Sequence, residues 1–389
     1  MLSDRINILS ESITIAIATL AQQLKAQGRD ILSFSAGEPD FDTPQVIKDS
    51  AIKALQAGYT KYTAVDGILA LKQAIANKLK RDNGLEYTPN QIITNNGAKH
   101  SLFNLFEVTI NNGDEVIIPA PYWVTYPELV AYCGGVPVAI HTTEETGFKI
   151  TAEMLRDAIT PKTKMLILTS PSNPTGSVYS KAELESLAEV LKGTSILVAS
   201  DEMYEKLTYE GTFTSTASIS EDMFNRTITI NGLSKSVAMT GWRFGYAAAK
   251  NIEIIKAMTK LQSQSTSNIN SITQYAAITG LDGSADADIA SMKEAFVARR
   301  DRAVALFNAI DGLSVLKPDG AFYLFVNISA VEMDSMKFCQ RLLEEQGVAV
   351  VPGIGFGSDG YFRFSFATDI GSIEKGIERI RTFVANYKK

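Results

Sequence analysis

Lys235 sits where an amine is short of water. The run Thr227-Ile228-Thr229-Ile230-Asn231-Gly232-Leu233-Ser234 leads into it as a buried strand and a glycine turn. Behind it comes Met239-Thr240-Gly241-Trp242-Arg243-Phe244-Gly245-Tyr246, an apolar stretch that carries one cation. Desolvation and a neighbouring guanidinium both depress an ammonium pKa, which frees the amine for Schiff-base chemistry with a carbonyl. A second apolar run, residues 196–200, ends in Asp201-Glu202-Met203-Tyr204. An acid at the end of a buried strand is costly unless a cation or hydrogen-bond donors meet it. A helix N-cap is the plainer alternative for Asp201.

Three further segments could serve a planar, anionic ligand. Thr94-Asn95-Asn96-Gly97-Ala98-Lys99 passes from a strand through a glycine into a helix starting near His100, and free N–H groups at a helix start suit a phosphate. Pro119-Ala120-Pro121-Tyr122-Trp123 exposes an aromatic pair at the end of an apolar strand, so that Trp123 could stack on a heterocycle. Ser170-Pro171-Ser172-Asn173-Pro174-Thr175-Gly176 is a proline-stiffened loop that presents the Asn173 amide. Taken singly, each has a plain structural reading as a turn or a packed aromatic.

The elements that must position these residues alternate. Short β-rich runs at 91–94, 115–119, 136–141, 164–169, 195–200, 227–231 and 243–248 are separated by helical patterns such as 99–110, 126–131 and 181–192. The expected architecture is α/β, with a mostly parallel sheet sandwiched by helices. Ligands of such sheets bind beyond the carboxyl ends of the strands, which is where the polar residues fall. After about residue 284 the texture changes to a long helix over 287–310 and short strands at 322–326 and 361–365. A smaller α+β unit is therefore expected, built from both termini: residues 45–284 form the large unit, and 1–44 with 285–389 the small one. Residues 13–21 read as an amphipathic helix rather than a signal peptide, because Thr14 and Thr19 interrupt the run and Glu11 precedes it.

Composition narrows the classes. With 389 residues, 45% hydrophobic and 21% charged, the chain has ordinary globular usage. A net charge of −6 with dispersed Lys and Arg offers no footprint for nucleic acid or anionic lipid, and no run is long enough to span a bilayer. Cys133 and Cys339 are the only cysteines, which fits a reducing cytoplasm and no thiolate metal site. Only two histidines, His100 and His141, are present, so Lys, Asp, Tyr and Arg are the working groups and no metal is expected.

In order and number, these motifs resemble the fold-type I pyridoxal-phosphate aminotransferases, and within them the bacterial aspartate aminotransferase subgroup. The match runs from Ser35-Ala36-Gly37-Glu38-Pro39-Asp40-Phe41 to Arg363. The resemblance implies that Lys235 is the covalent anchor and later the proton carrier. Asp201 would pair with the ring nitrogen, Tyr204 and Asn173 with the ring's phenolic oxygen, and Trp123 would stack on the ring. The phosphate would lie among Gly97, Ala98, Ser234, Arg243 and a second subunit's Tyr62, with Lys99 beside it. Arg363 would bind the substrate α-carboxylate, with Gly37 and Asn173. Residues 263–271 contain no arginine for a side-chain carboxylate. In the bacterial subgroup that task falls to the lysine matched by Lys99, with hydroxyls matched here by Ser12 and Thr14.

The resemblance further implies a homodimer with shared sites that moves the amino group of aspartate to 2-oxoglutarate by a ping-pong route. Prephenate is an alternative acceptor, paired with aspartate or glutamate, and a neutral or aromatic amino acid an alternative donor. A lyase or synthase on the same fold shares the lysine, aspartate and arginine. A cofactor-sensing regulator would need a basic DNA-binding module, for which no residues are left. A nicotinamide dehydrogenase would need a G-x-G-x-x-G run after an early strand, which is missing.

Overall fold

Runs of Ile, Val and Leu bounded by glycine, proline or polar turns become the strands of the protein, whose computed structural model describes residues 2–11 and 13–387. In chain order they are β1 (Leu32–Ser33), β2 (Ile92–Asn96), β3 (Glu115–Ala120), β4 (Val136–His141), β5 (Thr163–Thr169) and β6 (Leu197–Asp201). Then follow β7 (Thr227–Gly232), β8 (Phe244–Ala249), β9 (Tyr323–Asn327), β10 (Val348–Ala349), β11 (Val351–Pro352) and β12 (Tyr361–Ser365).

Seven of these strands form one sheet in the order β2-β8-β7-β6-β5-β3-β4, in which only β8 runs antiparallel to its neighbours. Its central strands bury both faces. Val116, Ile118, Met165, Ile167 and Ala199 join one apolar cluster, while Ile117, Leu166, Leu168 and Val198 join another. This period-two division is what a sheet covered by helices on both sides requires. The helices Ala98–Thr109, Thr125–Tyr132 and Ile252–Ser265 supply the first cluster, and Lys181–Leu191 supplies the second. The α/β reading is thus correct, with strand bounds within about two residues of expectation.

The remaining strands make two small sheets: β1 pairs with β10, and β11-β12-β9 are antiparallel. Phe362 and Phe364 of β12 enter an aromatic core with Phe307, Phe322, Phe338 and Phe383. Arg363 lies between them, so strand alternation turns it to the opposite face. The helix expected over 287–310 is Asp286–Phe307, and that expected over 13–21 is Ile13–Ala26.

Glu202 gives the large sheet a titrating group behind the site. Its Oε1 accepts from Ser200 Oγ at 2.9 Å, Ser215 Oγ at 2.8 Å and the Thr216 N–H at 3.1 Å, while Oε2 is buried without a partner. Burial first, and then Glu205, push its carboxyl up to about 7 from 4.5; Ser215, Ser200 and Lys78 oppose them. The folded chain therefore holds this proton more tightly than the unfolded chain, and stability falls as pH rises through that window. Glu202→Gln, which keeps the acceptor and cannot ionise, is expected to flatten that slope and to be about 1–3 kcal/mol more stable than the parent at pH 8. Urea unfolding from pH 5 to 8 measures this; parallel pH profiles would show that Glu202 ionises without cost.

Candidate active site

The parallel strands β2, β3, β5, β6 and β7 deliver their carboxyl ends to one cleft of about 920 Å³. Eleven of the residues singled out in the sequence line it: Gly37, Ala98, Lys99, Trp123, Asn173, Asp201, Tyr204, Ser234, Lys235, Arg243 and Arg363. Gly97 is not a lining residue; it caps the helix whose first residues, Ala98 and Lys99, line the cleft. The Tyr62 side chain is 91% exposed and is not part of the cleft of its own chain. Ser12, and the side chain of Thr14, lie outside the described residues.

One end of the cleft is built for an anion. Gly97 caps the helix Ala98–Thr109 at φ 82°, a left-handed conformation that glycine adopts without strain. A Cβ there would meet the Arg243 guanidinium at 2.5 Å. Similarly, a Cβ on Gly245 would stand 2.4 Å from the Ala98 nitrogen, so its bare Cα lets the helix start lie against β8. His100 and Ser101 donate back to the Gly97 carbonyl, which leaves the Ala98 and Lys99 N–H groups ahead of the first internal helix bonds. Arg243 donates to the Thr240 carbonyl at 2.9 Å and, among the described residues, pairs with no carboxylate. Lys99 is exposed at the cleft mouth, its Nζ 4.8 Å from the Trp123 ring centroid. Desolvation and then Arg243 hold its ammonium below the usual lysine range.

The floor carries the acid and the amine. Asp201 ends β6 and is 6% exposed. Its carboxylate accepts from Tyr126 OH at 2.7 Å and from the Met203 N–H at 3.2 Å. Burial raises its pKa, with Tyr126, Met203 and Lys235 pulling it down. Lys235 is partly accessible from the cleft and its ammonium donates to the Gly37 carbonyl. Burial lowers its pKa to about 8; Glu38 opposes the shift, and Arg363 and Arg243 add to it.

Arg363 is 2% exposed and also has no carboxylate partner among the described residues. It donates to Asn173 Oδ1 at 2.9 Å and to the Ser35 carbonyl at 2.8 Å, and its Nε is left without an acceptor. A buried guanidinium that meets only neutral oxygens is costly until an anion arrives. Two lining residues were not evident in the sequence. Tyr126 reaches Asp201 only because β3, β5 and β6 are neighbours, and Tyr323 meets the Tyr204 hydroxyl at 2.8 Å.

An anion cradle, an aromatic wall at Trp123, a buried acid and a neutralisable amine fit a planar aldehyde that bears a basic ring nitrogen and a phosphate. The chain belongs to the aminotransferase family of classes I and II, whose profile matches residues 29–380. It is a pyridoxal-phosphate-dependent enzyme acting on amino and oxo acids.

Among its relatives, an aspartate aminotransferase from Bacillus sp. (strain YM-2) is 52% identical over 390 residues, 99% of each chain. An aspartate/prephenate aminotransferase from Cereibacter sphaeroides is 48% identical over 396 residues, 99% of this chain and 98% of that one. The solved structure of an aspartate aminotransferase from Thermus thermophilus with maleate superimposes with a TM-score of 0.95 at 43% identity, covering 98% of this chain and 99% of that one. Among the described residues no group of three or more His, Cys, Asp or Glu could hold a metal, and no helix is long and apolar enough to cross a membrane.

Proposed function

We propose that the enzyme transfers the amino group of aspartate to 2-oxoglutarate in two half-reactions. The observation that carries this reading is Lys99, a cleft cation besides Arg363, Arg243 and Lys235 whose ammonium lies over Trp123, while residues 263–271 supply no arginine. Arg363 would take the α-carboxylate and Lys99 the side-chain carboxylate, which selects dicarboxylic substrates over neutral ones. The bound maleate, a dicarboxylate, in the Thermus thermophilus relative agrees with that chemistry.

When bound, pyridoxal phosphate supplies an electron-withdrawing ring that accepts the electrons left at substrate Cα. The Ala98 and Lys99 N–H groups, Ser234 and Arg243 would hold its phosphate, with Gly97 giving them room. Trp123 would cover the ring, Asp201 would keep the ring nitrogen protonated, and Tyr204 with Asn173 would donate to the ring oxygen. Lys235 would anchor the group and then, released as a neutral amine, take the proton from Cα. Gly37 and Asn173 would help Arg363 orient the substrate.

Tyr62, exposed and not lining its own cleft, suits a task at the neighbour's phosphate, as Ser12 and Thr14 would at the neighbour's substrate. The protein would then be a homodimer with shared sites, working in the cytoplasm. Residues 45–284 would carry the cofactor, and 1–44 with 285–389, including Arg363, would close on the substrate.

Lys99→Ala is expected to lower kcat/KM for aspartate and glutamate by about 10-fold while sparing alanine and phenylalanine. The assay is run with the cofactor saturating. Equal losses for both classes would mean that Lys99 only neutralises the phosphate. The Cereibacter sphaeroides relative favours prephenate as a further acceptor, so product analysis with 2-oxoglutarate, oxaloacetate and prephenate accompanies the assay.

A further inference from the structure

We propose that Tyr323 is a positioning residue that couples the Arg363 carboxylate site to Tyr204, the phenol assigned above to the cofactor's ring oxygen. The coupling rests on that assignment. Tyr323 opens β9, is 1% exposed and pairs with Ser365 of β12. Phe325, two residues on and therefore on the same face, pairs with Arg363. The register thus lays the tyrosine against the guanidinium, whose carbon is 4.4 Å from the ring centroid. At the other end of the ring, the hydroxyl lies 2.8 Å from Tyr204 OH. A Cβ on Gly37 would come within 3.2 Å of that hydroxyl, and the Gly37 carbonyl accepts from Lys235. One buried phenol therefore borders the arginine, the second phenol and the lysine's acceptor.

Two facing hydroxyls share one proton in their contact, so one donates and the other accepts. If Tyr204 gives its proton to a ring oxygen, its own oxygen becomes the acceptor and Tyr323 must donate. Hydrogen bonds in such a chain polarise one another, and Tyr204 becomes the stronger donor to an anionic oxygen. The ring of Tyr323 has a separate effect. It holds the guanidinium by its face without the negative charge that would compete with a substrate carboxylate. Hydroxyl and ring thus act on different partners, and different substitutions separate them.

Tyr323→Phe keeps the ring and removes the hydroxyl. In the holoenzyme it is expected to raise the pH midpoint of the bound cofactor's visible absorbance by about 0.5–1 unit. The Kd for maleate should stay within about twofold, since the ring face is retained. Tyr323→Leu should give the same midpoint shift and weaken maleate by roughly 5-fold or more. Tyr204→Phe should raise the midpoint at least as far as Tyr323→Phe, and Tyr323→Phe added to it should do nothing further. If Leu at this buried position prevents folding, the Phe variant and the double variant carry the test. A midpoint unmoved to within about 0.2 unit in Tyr323→Phe, with Tyr204→Phe shifted, overturns the coupling alone. An unmoved midpoint in Tyr204→Phe overturns the coupling and the Tyr204 assignment together.

Discussion

Lys235→Ala is expected to lower kcat by about 10⁴-fold or more at saturating cofactor. Two losses combine, because the same amine is proposed to anchor the cofactor and to carry the proton from Cα. Its surroundings prepare it for both tasks. Burial brings its pKa down to about 8, so near neutrality an appreciable fraction is a free amine, and its carbonyl partner at Gly37 stabilises the charged form without a competing carboxylate contact. The sign of the pH effect follows. Capture of pyridoxal phosphate by the unloaded parent should quicken as pH rises through about 8 and the ammonium loses its proton. Lys235→Ala should show no such limb, and Lys235→Arg, which keeps a charge and lacks a nucleophilic amine, should be as inactive as the alanine variant. Borohydride reduction of the loaded parent followed by peptide mapping locates the anchor. Label on another lysine, or an alanine variant within about tenfold of the parent, would remove Lys235 from the centre of the chemistry.

What the sequence disclosed, and what it concealed, has a physical pattern. β5, β6 and β7 were readable because strands buried on both faces must be apolar along their length, and a run such as Met165-Leu166-Ile167-Leu168 meets that demand locally. Asp201 and Lys235 stood out for the complementary reason, as charged groups placed where such strands end. By contrast, β10 and β11 have only two residues each and exist through pairing with β1 and β12, a long-range condition that no local pattern announces. Tyr126 and Tyr323 were hidden for a similar reason. Each looks like an ordinary core aromatic, and each acquires its role from a neighbouring strand: Asp201 in one case, Arg363 and the chain leading to Tyr204 in the other. Resemblance placed Tyr62 at a phosphate, yet within its own chain the ring is 91% exposed. That contact is proposed to come from a second copy.

Asp201→Asn is expected to lower kcat by about 10²–10³-fold, close to the loss in Asp201→Ala. The argument turns on charge rather than shape. Asp201 is buried at the end of β6 with two neutral donors, Tyr126 OH and the Met203 N–H, and burial lifts its carboxyl above the usual range. A protonated ring nitrogen beside it would reverse that shift, since an opposite charge in a dry site favours the ionised carboxylate. The carboxylate in turn would keep the ring cationic and able to accept electrons from Cα. Asparagine retains one oxygen for Tyr126 and nearly the same volume, so packing and that hydrogen bond should survive; the negative charge and the longer contact from the Met203 N–H, which an amide NH2 cannot accept, are lost. Steady-state turnover of cofactor-saturated variants, with thermal unfolding as a control for the fold, measures the difference. If asparagine restored turnover to within about tenfold of the parent while alanine did not, Asp201 would matter as a hydrogen-bond acceptor for Tyr126, and the ring nitrogen would have no need of its charge.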